Sequence, residues 1–179
     1  MAKVLPTVGI GDAERAAVRE RVIDYIKAYR VPAIVITKGL DGEPRLRLMG
    51  VWSDGAKLYI ISRKPTHKQE ELQRDPTITV DFYRYDAQDE GIDQPYRHVV
   101  VTGRAELLLD AATMKAMPFY DRTVIAPRKP SDPPNRVYLD SDDATIERER
   151  FGIVVHPTRI RAEGFVPGPR YPLYFKPEG

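Results

Sequence analysis

The chain has 179 residues, of which 42% are hydrophobic and 30% are charged, so it is long enough and apolar enough to fold around one hydrophobic core. Its formal net charge of +2 is too small for the electrostatic footprint of a nucleic-acid-binding protein. The chain contains no cysteine, which excludes disulfides, thiolate nucleophiles and zinc–thiolate sites.

No apolar run approaches the roughly 20 residues that a membrane span requires. The N-terminal sequence has an early lysine but no long apolar core, so it does not resemble a signal peptide. We therefore expect a cytoplasmic protein that folds as one domain over residues 1–179 and binds neither membranes nor nucleic acid.

The first predicted element is a helix over residues 12–30. Asp12 is placed to cap its N-terminus. Val18, Val22 and Ile26 repeat at helical spacing, and the charged residues lie largely off this stripe. We expect this helix to cover one end of a sheet.

Residues 31–109 have the pattern of a β-barrel core. A short β-branched run over 31–37 and two further short runs over 44–51 and 57–62 are separated by turns that contain Asp-Gly, which predicts three strands in a meander. The remaining predicted elements are a helix over 66–74, strands over 77–83 and 97–109, a helix over 111–121 capped by Asp110, a helical turn over 142–149, and strands over 151–155 and 158–163.

Two features refine this prediction. Gly103 interrupts the longest strand and predicts a bulge or bend of the kind that barrels need. Prolines cluster at 127–134 and 167–177, which predicts a proline-rich loop within 110–141 and an extended tail within 151–179. The predicted fold is mainly β: a split β-barrel, mostly antiparallel, with peripheral helices.

The residues best suited to bind a ligand lie between Pro44 and Pro76. Arg45 and Arg47 alternate along one strand and so share a face. A hydroxyl at the end of the next strand and basic and hydroxyl groups at the start of a helix complete a plausible phosphate clamp. Those groups belong to Ser62, Thr66, His67 and Lys68. The alternative is a basic rim that binds nothing in particular.

Other kinds of site lack the required motifs. The three histidines, His67, His98 and His156, have no metal-ligand spacing, so we predict no metal site. Neither glycine-rich phosphate loop of the α/β nucleotide folds is present, and no nucleophile elbow occurs.

The segment around this clamp resembles the pyridoxamine 5′-phosphate oxidase-like FMN-binding split-barrel family, over about 31–109 and more loosely to about 163. The matching pieces are Asp41-Gly42, Gly42-Glu43-Pro44-Arg45-Leu46-Arg47, Ile61-Ser62, Thr66-His67-Lys68 through Leu72 to Asp75-Pro76, Thr77–Tyr83, and Val101-Thr102-Gly103-Arg104-Ala105-Glu106-Leu107. The resemblance implies an FMN-dependent oxidoreductase that acts on a small molecule, with the flavin at a homodimer interface.

The resemblance also implies roles for individual residues. Arg47 and Lys68 would hold the FMN phosphate, with help from His67, which replaces the usual arginine, and from the Thr66 hydroxyl. The backbone of Leu48, Met49 and Gly50 would line the isoalloxazine, and Ile61 and Ser62 would contact the ring edge or the ribityl chain.

The chain departs from the vitamin-B6 oxidases of this family at the substrate side. Trp52 stands where those enzymes use a lysine for the substrate phosphate, and their C-terminal Arg-x-His motif is absent. Trp52 is thus a candidate substrate contact or, equally, a core residue. Two alternatives to an FMN enzyme stay open: a deazaflavin (F420)-dependent oxidoreductase, and a non-catalytic flavin- or haem-binding protein.

Overall fold

The structure is a computed structural model that describes residues 11–84, 96–123, 141–166 and 172–176. Residues 85–95, the proline cluster at 127–134 and part of the tail lie outside the described residues. In chain order the elements are α1 (Asp12–Ala28), β1 (Ala33–Lys38), β2 (Pro44–Met49), β3 (Trp52–Ser53), β4 (Leu58–Arg63), α2 (His67–Arg74), β5 (Thr77–Arg84), β6 (Arg97–Leu108), α3 (Ala111–Ala116), α4 (Tyr120–Thr123), α5 (Asp143–Glu149), β7 (Arg150–Glu163) and β8 (Leu173–Phe175).

The strands form one antiparallel sheet in the order β2-β1-β5-β6-β7-β4-β3, and β8 also pairs with β7. β2 and β3 lie at opposite ends of this path, although only Gly50 and Val51 separate them in the chain. Two residues reach about 11 Å, whereas seven strands laid flat extend about 29 Å. The sheet therefore curls until its two edges approach each other, which confirms the predicted antiparallel split barrel.

The predicted three-strand meander is wrong. β2 pairs with β1 over Pro44–Met49, but the chain then leaves that edge and starts β3 at the other. β3 is a two-residue partner of β4, joined to it by the Asp-Gly turn at Asp54-Gly55. The predicted turn at Asp54-Gly55 is confirmed. The segment before that turn forms two strands, which are separated at Gly50 and Val51.

The barrel core is filled by alternate residues of the strands and closed by α1. Val18, Val22 and Ile26 of α1 are each at most 3% exposed, as the helical stripe predicts. On β5 the alternating Ile78 and Phe82 are completely buried in the same cluster. The predicted cap at Asp12 is wrong, because Gly11 occupies the N-cap position and Asp12 is the first residue of α1. The N-terminus of α1 therefore has no side-chain cap.

The predicted irregularity at Gly103 is confirmed as a shift of register between β6 and β7. Thr102 pairs with Arg159 and Gly103 with Pro157, so Thr158 is an extra residue on β7. A Cβ on Gly103 would lie 2.4 Å from the carbonyl oxygen of His156, which explains the glycine. The missing N–H of Pro157 is tolerated because it lies at the bulge.

Three further predictions need correction. The helix predicted over 111–121 divides into α3 and α4, with Pro118 and a Phe119 at φ 66° between them. The strands predicted on either side of His156-Pro157 are one 14-residue strand. The proline-rich tail contains the short strand β8, which pairs with residues 160–162 of β7. The cap predicted from Asp110 is present, since its side chain accepts a hydrogen bond from the N–H of Thr113. Asp142 caps α5 in the same way, by accepting from the N–H of Thr145.

Within the described ranges, no helix has both the length and the apolar character needed to cross a membrane.

Candidate functional site

The end of the barrel beside α2 brings together charged and hydroxyl side chains from α2, β1, β2 and β4. α2 presents Lys68, Glu71 and Leu72 to the barrel, at the three- and four-residue spacing of one helix face. β1 contributes Thr37, which continues the inward alternation of Ala33 and Val35. β2 contributes Arg47, which pairs with Val35 and so faces the same side.

Arg47, Thr37 and Glu71 form a closed network of hydrogen bonds. Arg47 donates from Nη1 to Thr37 Oγ1 over 2.6 Å and from Nη2 to Glu71 Oε1 over 2.7 Å. Thr37 Oγ1 in turn donates to Glu71 Oε2 over 2.6 Å. Glu71 and Thr37 are each 2% exposed, so the network fixes the guanidinium from its buried side.

This network keeps Glu71 ionised. Burial by itself raises the pKa of the Glu71 carboxyl, but the hydrogen bonds from Arg47 and Thr37 and the charge of Arg47 outweigh burial and leave that pKa below its ordinary value. The site therefore contains a buried carboxylate whose charge is balanced by Arg47.

Lys68 supplies a second cation at the same place. Its Nζ donates to Ser62 Oγ over 2.7 Å, and both side chains are buried. Burial lowers the pKa of the Lys68 ammonium, and repulsion from the nearby Arg47 lowers it further, against the opposing charge of Glu71. The group thus has two cations and one carboxylate, and Lys68 loses its proton more easily than a free lysine.

The cations retain hydrogen-bonding capacity. A guanidinium carries five N–H donors and an ammonium three. The bonds found within the described residues use two donors of Arg47 and one of Lys68. The remaining donors, together with the hydroxyls beside them, suit a phosphate or another compact oxyanion.

Two of the predicted phosphate ligands lie elsewhere. His67 points about 100° around α2 from Lys68, is 82% exposed, and has Nδ1 3.5 Å from Glu70 Oε2. Thr66 is the N-cap residue of α2, but its hydroxyl donates to the carbonyl of Arg63. Both line an outer groove of about 610 Å³ that Arg148 also borders. The structure therefore separates Thr66 and His67 from Arg47 and Lys68.

The predicted ring-lining segment lies on the edge strand. Leu48 is 73% exposed and points away from the core, whereas Met49 packs against the core. The indole of Trp52 lies over Gly50, where a Cβ would come within 2.9 Å of ring atoms Cζ3 and Cη2. Trp52 is half-buried, so it is neither a core residue nor a free surface side chain.

Ile61 and Ser62 do not share a direction, because they are neighbours on a strand. Ser62 faces the barrel beside Lys68. The Ile61 side chain packs on the other face of the sheet, against clusters that contain Met114 and Met117. Any contact of Ile61 with a ligand beside Lys68 would have to use its backbone.

Sequence reasoning missed Thr37 and Glu71. A signal for Glu71 was present, because Glu71 and Leu72 lie three and four residues after Lys68, which is the spacing of one helix face. Thr37 breaks an otherwise apolar inward alternation. Among the described residues, no group of three or more histidine, aspartate or glutamate side chains is arranged to hold a metal ion.

The sequence was then compared with known families. A family model described as pyridoxamine 5′-phosphate oxidase matches residues 23–147, well over half of the chain. The chain belongs to the pyridoxamine 5′-phosphate oxidase family. The matched region includes Arg47, Lys68 and the buried pair Thr37 and Glu71.

Among individual relatives, general stress protein 26 of Bacillus subtilis (strain 168) is 29% identical over 90 residues, which cover 50% of this chain and 59% of that protein. The match thus spans less than two thirds of that relative's length. A solved structure of a conserved hypothetical protein from Mycobacterium tuberculosis has a TM-score of 0.57 at 19% identity, covering 94% of this chain and 96% of that one. A structure named F420 reductase has a TM-score of 0.51 at 21% identity, with 76% and 94% coverage. The two structural similarities show that this chain shares its fold with those proteins.

Proposed function

We propose that this protein is an FMN-binding oxidoreductase that acts on a small-molecule substrate. The proposal rests on one observation: Arg47 of β2 and Lys68 of α2 lie close together in the barrel wall, and both have N–H donors that the hydrogen bonds of the site do not use. An arginine fixed in orientation and a nearby ammonium suit the doubly charged phosphate of FMN.

Glu71 makes this a pre-organised phosphate site and not merely a basic one. An arginine with no partner samples many rotamers, and ordering it on binding costs free energy. Here Thr37 and Glu71 order the guanidinium in advance. The negative charge of Glu71 offsets one cation, and the net charge of +1 that Arg47 and Lys68 leave still attracts a phosphate.

The edge of the sheet supports a ring-binding role for residues 48–50. β2 ends the strand path, so among the described strands only one of its edges is paired. The backbone N–H and C=O groups of the other edge are a row of alternating donors and acceptors. The pyrimidine edge of a flavin also alternates carbonyl acceptors with an N–H donor, so the two are complementary.

Bound FMN would supply hydride transfer through its N5 atom. The chain's own residues then have three tasks. Arg47 and Lys68 hold the phosphate, the backbone of Leu48 to Gly50 orients the ring, and Trp52 covers the adjoining surface and excludes water from it. We assign Trp52 to the substrate side because its ring lies directly over Gly50.

A deazaflavin coenzyme is the second candidate cofactor. A structure named F420 reductase shares the fold, and a deazaflavin presents the same kind of ring edge and a phosphate-bearing side chain. Purified protein distinguishes the two, because bound FMN makes it yellow with absorption in the blue. A colourless protein that binds only the deazaflavin would rule out FMN.

The phosphate role of Arg47 has a direct test. FMN and riboflavin differ only in the phosphate, so Arg47→Ala should weaken FMN binding about tenfold or more, equivalent to roughly 1.4 kcal/mol, and leave riboflavin binding unchanged. Arg45→Ala is the matched control, since Arg45 lies on the same strand but pairs with the exposed Asp41. Affinities are measured by quenching of flavin fluorescence. Equal losses for FMN and riboflavin would show that Arg47 does not hold the phosphate.

The enzymatic part of the proposal is tested separately. Flavin-loaded protein is reduced anaerobically with NADH or NADPH and then mixed with a panel of acceptors. Reduction followed by reoxidation supports an oxidoreductase. A bound flavin that is neither reduced nor reoxidised under any of these conditions would leave a non-catalytic flavin carrier.

A further inference from the structure

A second cleft lies on the described surface, between α1 and the strands β7 and β8. Its volume is about 680 Å³, larger than that of the groove beside His67. The residues that matter here come from all three elements: Arg15, Arg19, Thr158, Arg159, Phe175 and Lys176. None of them belongs to the proposed flavin site.

The cleft carries a concentrated positive charge. Four of its lining side chains are cations and only Asp12 is acidic, which gives a formal charge of +3. Within the part of the chain that the structure describes, Arg15, Arg159 and Lys176 make no ion pair with a carboxylate. The whole chain has a net charge of only +2 over 54 charged side chains, so a charge of +3 in one cleft is a local concentration. Like charges gathered in a concave surface raise the local concentration of anions.

The bulge in β7 helps to build this cleft. Consecutive residues of a regular strand point to opposite faces. Thr158 and Arg159 are consecutive, yet both are exposed and both line the cleft, because Thr158 is the extra residue of the bulge. Bulges are found where a strand re-aims a side chain. The same irregularity that required Gly103 therefore places Thr158 beside Arg159 at the cleft.

The other walls are also defined. Arg15 Nη2 donates to the carbonyl oxygen of Tyr174 over 3.0 Å, which ties α1 to β8 and holds the guanidinium at the rim. The remaining N–H groups of Arg15 stay available to a ligand. Ala16 and Phe175 give the cleft an apolar part, and the half-exposed Tyr174 borders it.

We propose that this cleft is a second binding site, for a small molecule that joins a phosphate or carboxylate group to an apolar, aromatic body. Arg15, Arg159 and Lys176 bind the anion, and the surface of Ala16, Tyr174 and Phe175 takes the apolar part. Arginine favours such ligands because it pairs with oxyanions bidentately and stacks on aromatic rings.

The test is calorimetric titration of the full chain, loaded with one FMN per chain and freed of excess flavin, with 1-naphthyl phosphate as the probe. We expect saturable binding with a Kd of about 1 mM or tighter. Inorganic phosphate and 1-naphthol, which each carry half of the probe, bind more weakly. Arg159→Gln replaces a guanidinium that makes no side-chain hydrogen bond within the described residues. It weakens probe binding about tenfold or more. Arg21→Gln, an exposed arginine of α1 outside the cleft, leaves it unchanged.

Each other outcome overturns the proposal in a recognisable way. The absence of saturable heat means that the cleft binds no such ligand. Equal losses for Arg159→Gln and Arg21→Gln mean that the attraction is diffuse. Binding that Arg47→Ala abolishes and Arg159→Gln does not affect belongs to the flavin site instead. Unfolding midpoints of the variants show that each loss is measured on folded protein.

Discussion

At the scale of single residues, the most unusual feature is a buried carboxylate, that of Glu71, beside the two cations of the proposed phosphate site. A carboxylate under a proposed phosphate site weakens the field that attracts the phosphate. Its advantage is order, because Glu71 and Thr37 hold the Arg47 guanidinium through two short hydrogen bonds. Removing one partner of such a pair leaves the other charge without compensation, which costs more than the pair itself contributes.

We therefore expect Glu71→Gln to lower the free energy of unfolding by about 2 kcal/mol at neutral pH, the range measured for hydrogen bonds to charged groups. Urea denaturation measures it. Glu70→Gln is the control, since Glu70 is 64% exposed and one position away on α2, and it should change stability by less than about 0.5 kcal/mol. A loss no greater than that of the control would mean that Glu71 does not support Arg47.

The effect of Glu71 depends on pH with a definite sign. The pKa of Glu71 in the folded protein lies below the ordinary glutamate value of 4.5. Its contribution to stability is therefore complete above pH 4.5 and is lost as the pH falls through the lower folded-state pKa. Protonated glutamate and glutamine are nearly isosteric. The stability gap between the wild type and Glu71→Gln should therefore narrow as the pH falls below 4.5.

At the scale of elements, the junction of β6 and β7 is the most constrained. These are the two longest strands, and their bulge brings the backbone of His156 against Gly103. An added Cβ would meet a carbonyl oxygen at 2.4 Å, and a backbone atom in a paired strand cannot move aside cheaply.

Gly103→Ala should consequently destabilise the fold by about 2 kcal/mol or more, within the range for forced backbone strain. The comparison variant is Gly11→Ala, where no atom lies within 4 Å of the new Cβ and the only cost is that of a poorer helix N-cap, about 0.5 kcal/mol. Thermal unfolding followed by circular dichroism ranks the two. Equal midpoints would show that the bulge accommodates a side chain.

The same elements show what the sequence could and could not predict. β5 and β6 were predicted within a residue or two, because their alternation is long and both faces are distinct. The division between β2 and β3 was missed because it depends on distant partners at opposite sheet edges, and no local residue encodes that. β8 was missed because three residues acquire strand geometry only from pairing with β7.

The site follows the same logic. Arg47, Ser62 and Lys68 were predicted, and the structure brings their side chains to one place. His67 was grouped with them by its position in the sequence, but adjacent helix residues point about 100° apart. Glu71 was missed because its spacing from Lys68 indicates only the helix face, and the role of the buried acid becomes clear only with its partner Arg47 on β2.

At the scale of the whole molecule, the outer face of the sheet carries exposed leucines. Leu46 and Leu48 of β2 are 62% and 73% exposed, and their partners across β1, Ile36 and Ile34, are only half-buried on that face. An apolar patch on an edge strand attracts another chain. It adjoins the proposed ring-lining residues 48–50. We propose that a second copy of the chain covers this face and completes the flavin site.

Replacing both leucines with serine should then convert a dimer into a folded monomer, because the interface loses its apolar area and gains two polar groups that need water. Analytical ultracentrifugation measures the mass, and the flavin retained during gel filtration should fall together with the dimer fraction. Leu40→Ser is the matched control, since Leu40 is 42% exposed in the turn between β1 and β2 and lies off the patch. A wild-type protein that sediments as a monomer while it retains flavin would place the whole site within one chain, and the exposed leucines would then need another explanation.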